Sequence, residues 1–310
     1  MHHIVSRLLF FSLYWLTGLA QANIIEVTLL GTGTPVPSSE RYGPATLVKI
    51  NHQYFLFDTG RGLITRLQQS QTPINAIQHV YFTHLHSDHI TGFSDYWLTS
   101  WIWQRPHQLQ VTGPDGTLNF IQQLEKAYQA NYQYRRDNTK LNADTYYSHI
   151  DEINQDTLVY QQDGIKITAF TVSHQPVSPA FGYKIEAENK KIVISGDTTY
   201  SDNLIRHATH ADLLIHEIAA APTALLEGNL RLQKVMNYHT TPQQMITILN
   251  KTQPKYTLLN HVLLFGIGEE KIIKQIQQQY DGKLAIGRDL MQVTIGDSIN
   301  IRVIKPLKSH

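Results

Sequence analysis

Residues 84–89 combine side chains that bind metal ions. The run His84-Leu85-His86-Ser87-Asp88-His89 places three imidazoles and one carboxylate within six residues. It follows the apolar, β-branched and aromatic run 80–83, which predicts a buried strand. Because each buried imidazole or carboxylate must find a polar partner, packing alone does not account for the cluster. Neutral imidazole and carboxylate suit Zn²⁺, so we interpret the cluster as a metal site. The alternative is a histidine-rich surface turn that binds metal adventitiously.

Other apolar runs of the chain are also followed by a histidine or an aspartate, as the run 80–83 is. They are 165–173 before His174, 191–195 before Asp197, 211–215 before His216 and Glu217, and 256–259 before His261. Side chains at the carboxyl ends of strands converge in a crevice where α/β sheets commonly bind ligands. Both halves of the chain are therefore expected to contribute to one site. The predicted metal ligands are His84, His86, Asp88, His89, His174, Asp197 and His261. Seven ligands suffice for two ions if one carboxylate bridges them.

The first predicted strand, 24–30, leads into Gly31-Thr32-Gly33-Thr34-Pro35. Two glycines this close permit positive φ and close backbone approach. Pro35 stands where a dinucleotide-binding fingerprint would continue as a helix, which disfavours a Rossmann fold. Residues 46–57 alternate as a hairpin that ends at Asp58. We expect Asp58 to cap a helix or to support a ligand rather than to bind metal itself.

Composition narrows the class of protein. The chain has 310 residues, of which 42% are hydrophobic and 16% are charged, as in globular proteins. It contains no cysteine, which excludes disulfides and thiolate ligands. The formal net charge of +1 predicts no extended basic surface, so nucleic acid is not the expected partner.

Residues 1–22 predict a secretory signal peptide. Arg7 precedes the apolar run 8–19, and Ala20-Gln21-Ala22 has the small-x-small form of a signal peptidase site. The run is shorter than the ~20 residues that a membrane span needs. We therefore expect no stable membrane span, one domain over residues 23–310, and a periplasmic or secreted protein. The alternatives are an uncleaved amphipathic anchor and a mis-assigned start.

Every tryptophan after the predicted leader lies within residues 95–105. Trp97 and Trp101 are four residues apart and would share one face of a helix. One interpretation is packing in the core or in a homodimer interface, and the other is an aromatic wall beside the metals that suits a flat aryl group. Residues 118–128 have a helical period, and the tyrosine-rich segment 128–151 carries no clear pattern.

These motifs together resemble the metallo-β-lactamase superfamily of dinuclear zinc hydrolases. The resemblance rests on His84-x-His86-x-Asp88-His89, followed in the expected order by His174, Asp197 and His261. It implies an α/β fold, namely a four-layer αβ/βα sandwich of two similar halves, with two Zn²⁺ ions at one edge (Mn²⁺ or Fe²⁺ in substitution). It also implies that one ion is bound by His84, His86 and His174, and the other by Asp88, His89 and His261, with Asp197 between them.

Three further motifs, at 30–35, 41–46 and 58–62, are similar to the branch that contains ribonuclease Z and the zinc-dependent arylsulfatases. His216-Glu217 and His239-Thr240 are similar to the paired catalytic loops of the ribonuclease, in which a glutamate orients a histidine that contacts the scissile phosphate. The resemblance thus implies catalytic roles for Glu217 and His239. The alternative for His239 is a neighbour of the helix that Thr241-Pro242 would begin.

The chain also departs from ribonuclease Z. Only 22 residues separate His174 from Asp197, which leaves no room for the long arm with which bacterial ribonuclease Z enzymes of this type hold tRNA. This departure, the leader and the neutral charge favour a secreted, arylsulfatase-like hydrolase of sulfate esters, with phosphodiesters as further substrates. A water that bridges two cations loses a proton readily and would be the nucleophile, oriented by Asp88. Two alternatives stay open, a ribonuclease Z-like tRNA 3′-processing endonuclease and a non-catalytic metal- or ligand-binding module of the same fold.

Overall fold

A computed structural model describes residues 24–139 and 141–305. The predicted signal peptide, residues 1–22, lies outside the described residues. The strands are β1 (Ile25–Gly31), β2 (Ala45–Ile50), β3 (Gln53–Phe57), β4 (His79–Tyr81), β5 (Gln110–Pro114), β6 (His149–Ile153), β7 (Thr157–Gln162), β8 (Ile165–Thr171), β9 (Phe181–Ala187), β10 (Lys190–Ile194), β11 (Leu213–Ala219), β12 (Thr257–Leu263), β13 (Leu284–Ile286), β14 (Met291–Ile295) and β15 (Ile299–Val303). The helices are α1 (Leu63–Gln69), α2 (Ser87–Ile90), α3 (Phe93–Ile102), α4 (Thr117–Ala127), α5 (Gln129–Thr139), α6 (Asp202–Ala208), α7 (Thr223–Leu226), α8 (Leu230–Asn237), α9 (Pro242–Thr252) and α10 (Glu269–Gln277).

The strands form two mixed sheets, and each half of the chain builds one of them. The first sheet has the order β15-β14-β1-β2-β3-β4-β5-β6, and the second has the order β13-β12-β11-β10-β9-β8-β7. In each half an antiparallel meander is followed by parallel strands, β3 to β6 in the first sheet and β10 to β13 in the second. The hairpin β14–β15 returns to the first sheet and pairs with β1. Apart from this hairpin, the two halves have similar designs.

Apolar side chains pack in three layers of core. Between the sheets, Val27 and Phe57 of the first sheet belong to the same core as Tyr183 and Ile185 of the second. Helices α1, α3 and α4 cover the outer face of the first sheet, and α6, α9 and α10 cover that of the second. Because parallel strands covered on both faces read as continuous apolar runs, these strands were located in the sequence. The predicted four-layer αβ/βα sandwich is confirmed. Among the described residues, no helix has the length and apolar character needed to cross a bilayer.

Trp97 and Trp101 lie in the outer core of the first sheet, where both are buried. Their rings lie 4.7 Å and 5.0 Å from the ring of Tyr146, and their indole nitrogens donate to backbone carbonyls of the segment 142–146. The segment 128–151 shows no clear pattern in the sequence. In the structure it includes α5 and the start of the edge strand β6, and it supplies Tyr146 as the aromatic partner of both tryptophans. The interpretation of the tryptophans as an aromatic wall beside the metals is therefore wrong.

The glycine motif after β1 serves close backbone approach. A Cβ atom on Gly31 would lie only 1.8 Å from the carbonyl oxygen of Gly43. The carboxylate of Asp289, between β13 and β14, holds the two chain segments together. Its Oδ1 accepts from the backbone N–H and the hydroxyl of Thr32 (2.9 and 2.7 Å), and its Oδ2 accepts from the N–H of Tyr42 (2.7 Å) and from Arg66 (3.0 Å). Asp289 lies just before the C-terminal hairpin β14–β15. The return of the chain to the first sheet thus fixes the position of the loop that follows β1.

Replacing Asp289 with alanine should lower the free energy of unfolding by about 3–5 kcal/mol, because it leaves a largely buried guanidinium without its counter-ion. The side chains of Arg66 and Asp289 are only 12% and 4% exposed. Denaturant unfolding followed by circular dichroism measures the change. The control is Glu26→Ala, which removes an ion pair with Lys49 whose side chains are 25% and 38% exposed. That control should cost less than about 1 kcal/mol, and an equal loss in both variants would contradict the role of Asp289.

Candidate metal centre

The predicted ligands meet at one edge of the sandwich, between the two sheets. The first sheet contributes the residues that follow β4 and those of α2, whose buried side chains are Asp88 and His89. The second sheet contributes His174 after β8, Asp197 after β10 and His261 within β12. Three groups of potential ligands result, and the first two are His84, His86, His174 and Asp197, and Asp88, His89 and His261; the third overlaps them and consists of Asp197, His239 and His261. The first two groups divide the histidines and Asp88 as the resemblance implies.

The first group has the spacing of a single cation site. Atom Nδ1 of His86 lies 2.9 Å from Nε2 of His84 and 3.3 Å from Nε2 of His174. Asp197 Oδ2 lies 3.8 Å from the Nε2 of His84 and 3.9 Å from that of His174. Ligands that bind zinc tetrahedrally at about 2.1 Å stand roughly 3.4 Å apart. The measured separations lie on either side of that value.

The second group shares Asp197 with the first. Asp197 Oδ2 lies 3.4 Å from Nε2 of His89 and 3.4 Å from Nε2 of His261. Asp88 Oδ2 lies 3.7 Å from Nε2 of His89 and 3.2 Å from Nε2 of His261. Within the described chain, His89 Nε2 and Asp197 Oδ1 are buried and have no hydrogen-bond partner. A buried nitrogen that faces two carboxylates without such a partner fits a bound cation. The donor set thus fits metal ions, and the number of ions remains a prediction.

The electrostatics of the centre favour added positive charge. Burial lowers the pKa of His84 well below its usual value and also lowers the pKa values of His86 and His174, so these rings are neutral. Burial alone would raise the pKa of Asp197, but the charges of His261 and His89 hold that pKa well below its usual range. The first ligand group therefore combines neutral imidazoles with an ionised carboxylate, which is the protonation state that binds zinc. In the second group, burial would lower the pKa of His89, but the surrounding carboxylates raise that pKa well above its usual value.

Polar groups behind the centre orient the histidines. Asp58 Oδ2 lies 2.8 Å from Nδ1 of His89, and Asp58 in turn accepts from the backbone N–H and the hydroxyl of Thr83. His174 Nδ1 lies 2.9 Å from the backbone carbonyl of Tyr238. Donation from Nδ1 leaves the Nε2 lone pair directed at the site. Asp58 therefore supports a ligand as expected, and its alternative role as a helix cap is wrong because α1 begins after Gly62.

Glu217 and His239 form a pair beside the ligand groups. Glu217 Oε1 lies 3.0 Å from His239 Nδ1 and accepts from the backbone N–H groups of Thr198 (3.1 Å) and Thr240 (3.0 Å). Burial alone would lower the pKa of His239, but the charge of Glu217 and the hydrogen bond to it raise the pKa to about 9. His239 also precedes the helix that Thr241 caps, as the alternative interpretation expected, and its catalytic role remains a prediction. The pair can present a proton to a bound ligand.

The predicted ends of β11 and β12 are wrong. Both strands continue through the chemical residues, β11 to Ala219 and β12 to Leu263. The pairing shifts between Glu217 and Ile218, so that His261 has no residue opposite it on β11, and its φ is 43°. A bulge re-aims the side chain of the extra residue, which explains how His261 reaches the site from within a strand. His216 is buried next to Glu217 but belongs to no ligand group.

A cavity of 540 Å³ opens over the centre. Its floor carries ligands and catalytic candidates, and its walls are mostly apolar. The floor residues are His86, Asp88, Asp197, His239 and His261, and the apolar wall residues are Pro35, Val36, Leu225, Leu232, Val235, Leu263 and Phe265. Sequence analysis did not anticipate the walls, because α7 and α8 carry no chemical motif.

A four-layer sandwich with histidines and aspartates at this edge defines the metallo-β-lactamase fold. Structures of the Bacillus subtilis fold protein YhfI (TM-score 0.69, 18% identity) and of the short form of human tRNase Z (TM-score 0.68, 23% identity) match 88% of this chain and 100% of each relative. The family model described as "Anti-Pycsar protein Apyc1" matches residues 25–265. Ribonuclease Z from Mycobacterium bovis is 30% identical over 279 residues, 88% of this chain and 99% of the relative. The chain belongs to this Apyc1 family of metallo-β-lactamase-fold hydrolases, which is related to ribonuclease Z.

Asp88→Ala should abolish turnover and reduce bound metal, because Asp88 lies in the second ligand group. His239→Ala should lower turnover while bound metal stays at the wild-type level, because we expect His239 to donate a proton rather than to bind metal. Steady-state kinetics and elemental analysis of the purified variants measure both effects. Asp197, His239 and His261 also lie close enough to share an ion. Equal metal loss in the two variants would therefore indicate that His239 is a metal ligand.

Proposed function

We propose that the protein is a zinc-dependent phosphodiesterase of the ribonuclease Z type with two ions in its centre. The observation that carries the proposal is the Glu217–His239 pair beside the two ligand groups. These residues lie in the motifs that are similar to the paired catalytic loops of the ribonuclease. The 30% identity to a ribonuclease Z along nearly its whole length supports the same substrate class.

His84, His86 and His174 would hold one ion, Asp88, His89 and His261 would hold the other, and Asp197 would contact both. Two bound zinc ions would neutralise charge on the phosphate and lower the pKa of a nearby water. Asp88 would orient that water and accept its proton.

His239 would supply the proton that the leaving oxygen requires. Glu217 opposes the effect of burial on the His239 ring, raises its pKa and fixes the ring through Nδ1. The other ring nitrogen is then available to a substrate that lies over Asp197 and His261. A preorganised donor of this kind stabilises charge that develops in the transition state. Because a sugar hydroxyl is a poor leaving group as an alkoxide, a phosphodiester benefits strongly from this donor.

The sulfate-ester preference has little support. The M. bovis relative is named for ribonuclease Z, and the two buried tryptophans that suggested an aryl site belong to the outer core. The expectation that nucleic acid is an unlikely partner conflicts with that relationship. Export to the periplasm, which rests on residues 1–22, and a homodimer remain proposals. Analysis of the mature N-terminus and light scattering would test them.

The deciding assay compares bis-nitrophenyl phosphate, nitrophenyl sulfate and precursor tRNA, each with and without a chelator. We expect metal-dependent cleavage of the phosphodiesters, lost with chelator and restored by Zn²⁺, and a lower kcat/KM for the sulfate ester. Elemental analysis should find two zinc ions per chain. A higher kcat/KM for the sulfate ester would overturn the proposal. Metal-loaded protein that is inert on all three substrates would indicate a non-catalytic binding module.

A further inference from the structure

The cavity over the metal centre continues into a second cavity of 720 Å³ along α8. The two cavities share His86, Arg231, Val235 and Tyr238. Helix α8 therefore lies along a cleft that is longer than the site needed for one phosphodiester group. A third cavity, of 350 Å³, shares Val36, Leu263 and Phe265 with the first and extends the cleft in another direction.

Two cations of α8 line the second cavity. Arg231 and Lys234 are exposed and three residues apart, so they share one face of the helix. Among the described residues, no carboxylate lines this cavity, and neither cation forms an ion pair. Arg231 and Lys234 thus place unpaired positive charge in a cavity that His86 and His174 also line.

The walls of the first cavity suit a flat, largely apolar group. Val36 and Leu225 are 59% and 48% exposed, although both are aliphatic and neither packs in a core cluster. Phe265 borders both the first and the third cavity. Aromatic side chains next to a phosphate site bind bases by stacking. The cleft therefore offers an apolar surface and a cationic surface on two sides of the same metal centre.

We propose that α8 binds a second phosphate, so that the substrate is a single-stranded oligoribonucleotide rather than an isolated diester. Arg231 and Lys234 contact the phosphate adjacent to the scissile one, and a base lies against Phe265 and the aliphatic wall. This inference rests on the proposed phosphodiesterase function. An isolated diester would occupy the metal centre and leave both cations of α8 without a partner.

The test is the ratio of kcat/KM for a short single-stranded RNA to kcat/KM for bis-nitrophenyl phosphate. In the double variant Arg231→Gln/Lys234→Gln the ratio should fall by about 10–100-fold, mainly through KM for the RNA, because two charged contacts are lost. The slope of log kcat/KM against log salt for the RNA should become shallower by about 1.4, because each contact to a single strand contributes roughly 0.7. Bound zinc is measured in parallel.

The matched control is Lys271→Gln/Lys274→Gln, which removes two exposed cations at the same spacing on α10. It should leave the ratio unchanged. For the base, Phe265→Ala should lower the ratio by about 5–100-fold, the range for loss of one stacked base. Its control is Tyr134→Ala, an aromatic residue that is 71% exposed on α5.

The possible outcomes separate this inference from the proposed function. An unchanged ratio in the α8 variant, or an equal fall for both substrates, would overturn the second phosphate site. Wild-type protein that cleaves bis-nitrophenyl phosphate but no RNA would also overturn it and leave the phosphodiesterase function standing. Zinc-loaded wild-type protein that cleaves neither substrate would instead refute the proposed function itself.

Discussion

The burial of Asp88 and Asp197 among histidines is the constraint on which the rest of the structure depends. Both carboxylates are nearly inaccessible to water, and an uncompensated buried charge costs several kcal/mol. Histidines and, when bound, cations must therefore surround them at close range. Hydrogen bonds behind the centre reduce the freedom of the histidines, as Asp58 does for His89. A metal centre satisfies this arrangement better than any packing role.

The two sheets must stay in register at the centre, because each provides part of it. The backbone N–H of Phe181 donates to the carbonyl of Thr83 (2.9 Å), and the hydroxyl of Tyr183 donates to the carbonyl of Phe82 (2.7 Å). These bonds join β9 of the second sheet to the residues that immediately precede His84. A shift of one sheet relative to the other would break them and separate His84 from His174. The hydrogen bonds that join the two sheets thus lie next to the metal-site residues whose relative positions they fix.

Sequence analysis located the centre because its residues combine unusual chemistry with strand ends. His84, His174 and Asp197 follow apolar runs, and they converge because the strands that precede them end at the same edge of the sandwich. His261 shows the limit of this reasoning, since its position depends on a bulge and a φ of 43° that no local residue pattern signals. Asp289 was missed because its partners Thr32 and Tyr42 lie about 250 residues away in sequence. The tryptophans were open to two interpretations, and only the tertiary contacts with Tyr146 separated them.

The near-neutral charge of the chain was a weak argument against nucleic acid. At physiological ionic strength, exposed charges more than about 8 Å apart are largely screened. The attraction of a phosphate thus depends on the cations nearest to it, whatever the sum over the molecule. Here the sum of +1 coexists with a cavity that Arg231 and Lys234 line without an opposing carboxylate. The net charge of a sequence does not show where its charges lie. The structure does, because it places the cations of α8 beside His86 and His174.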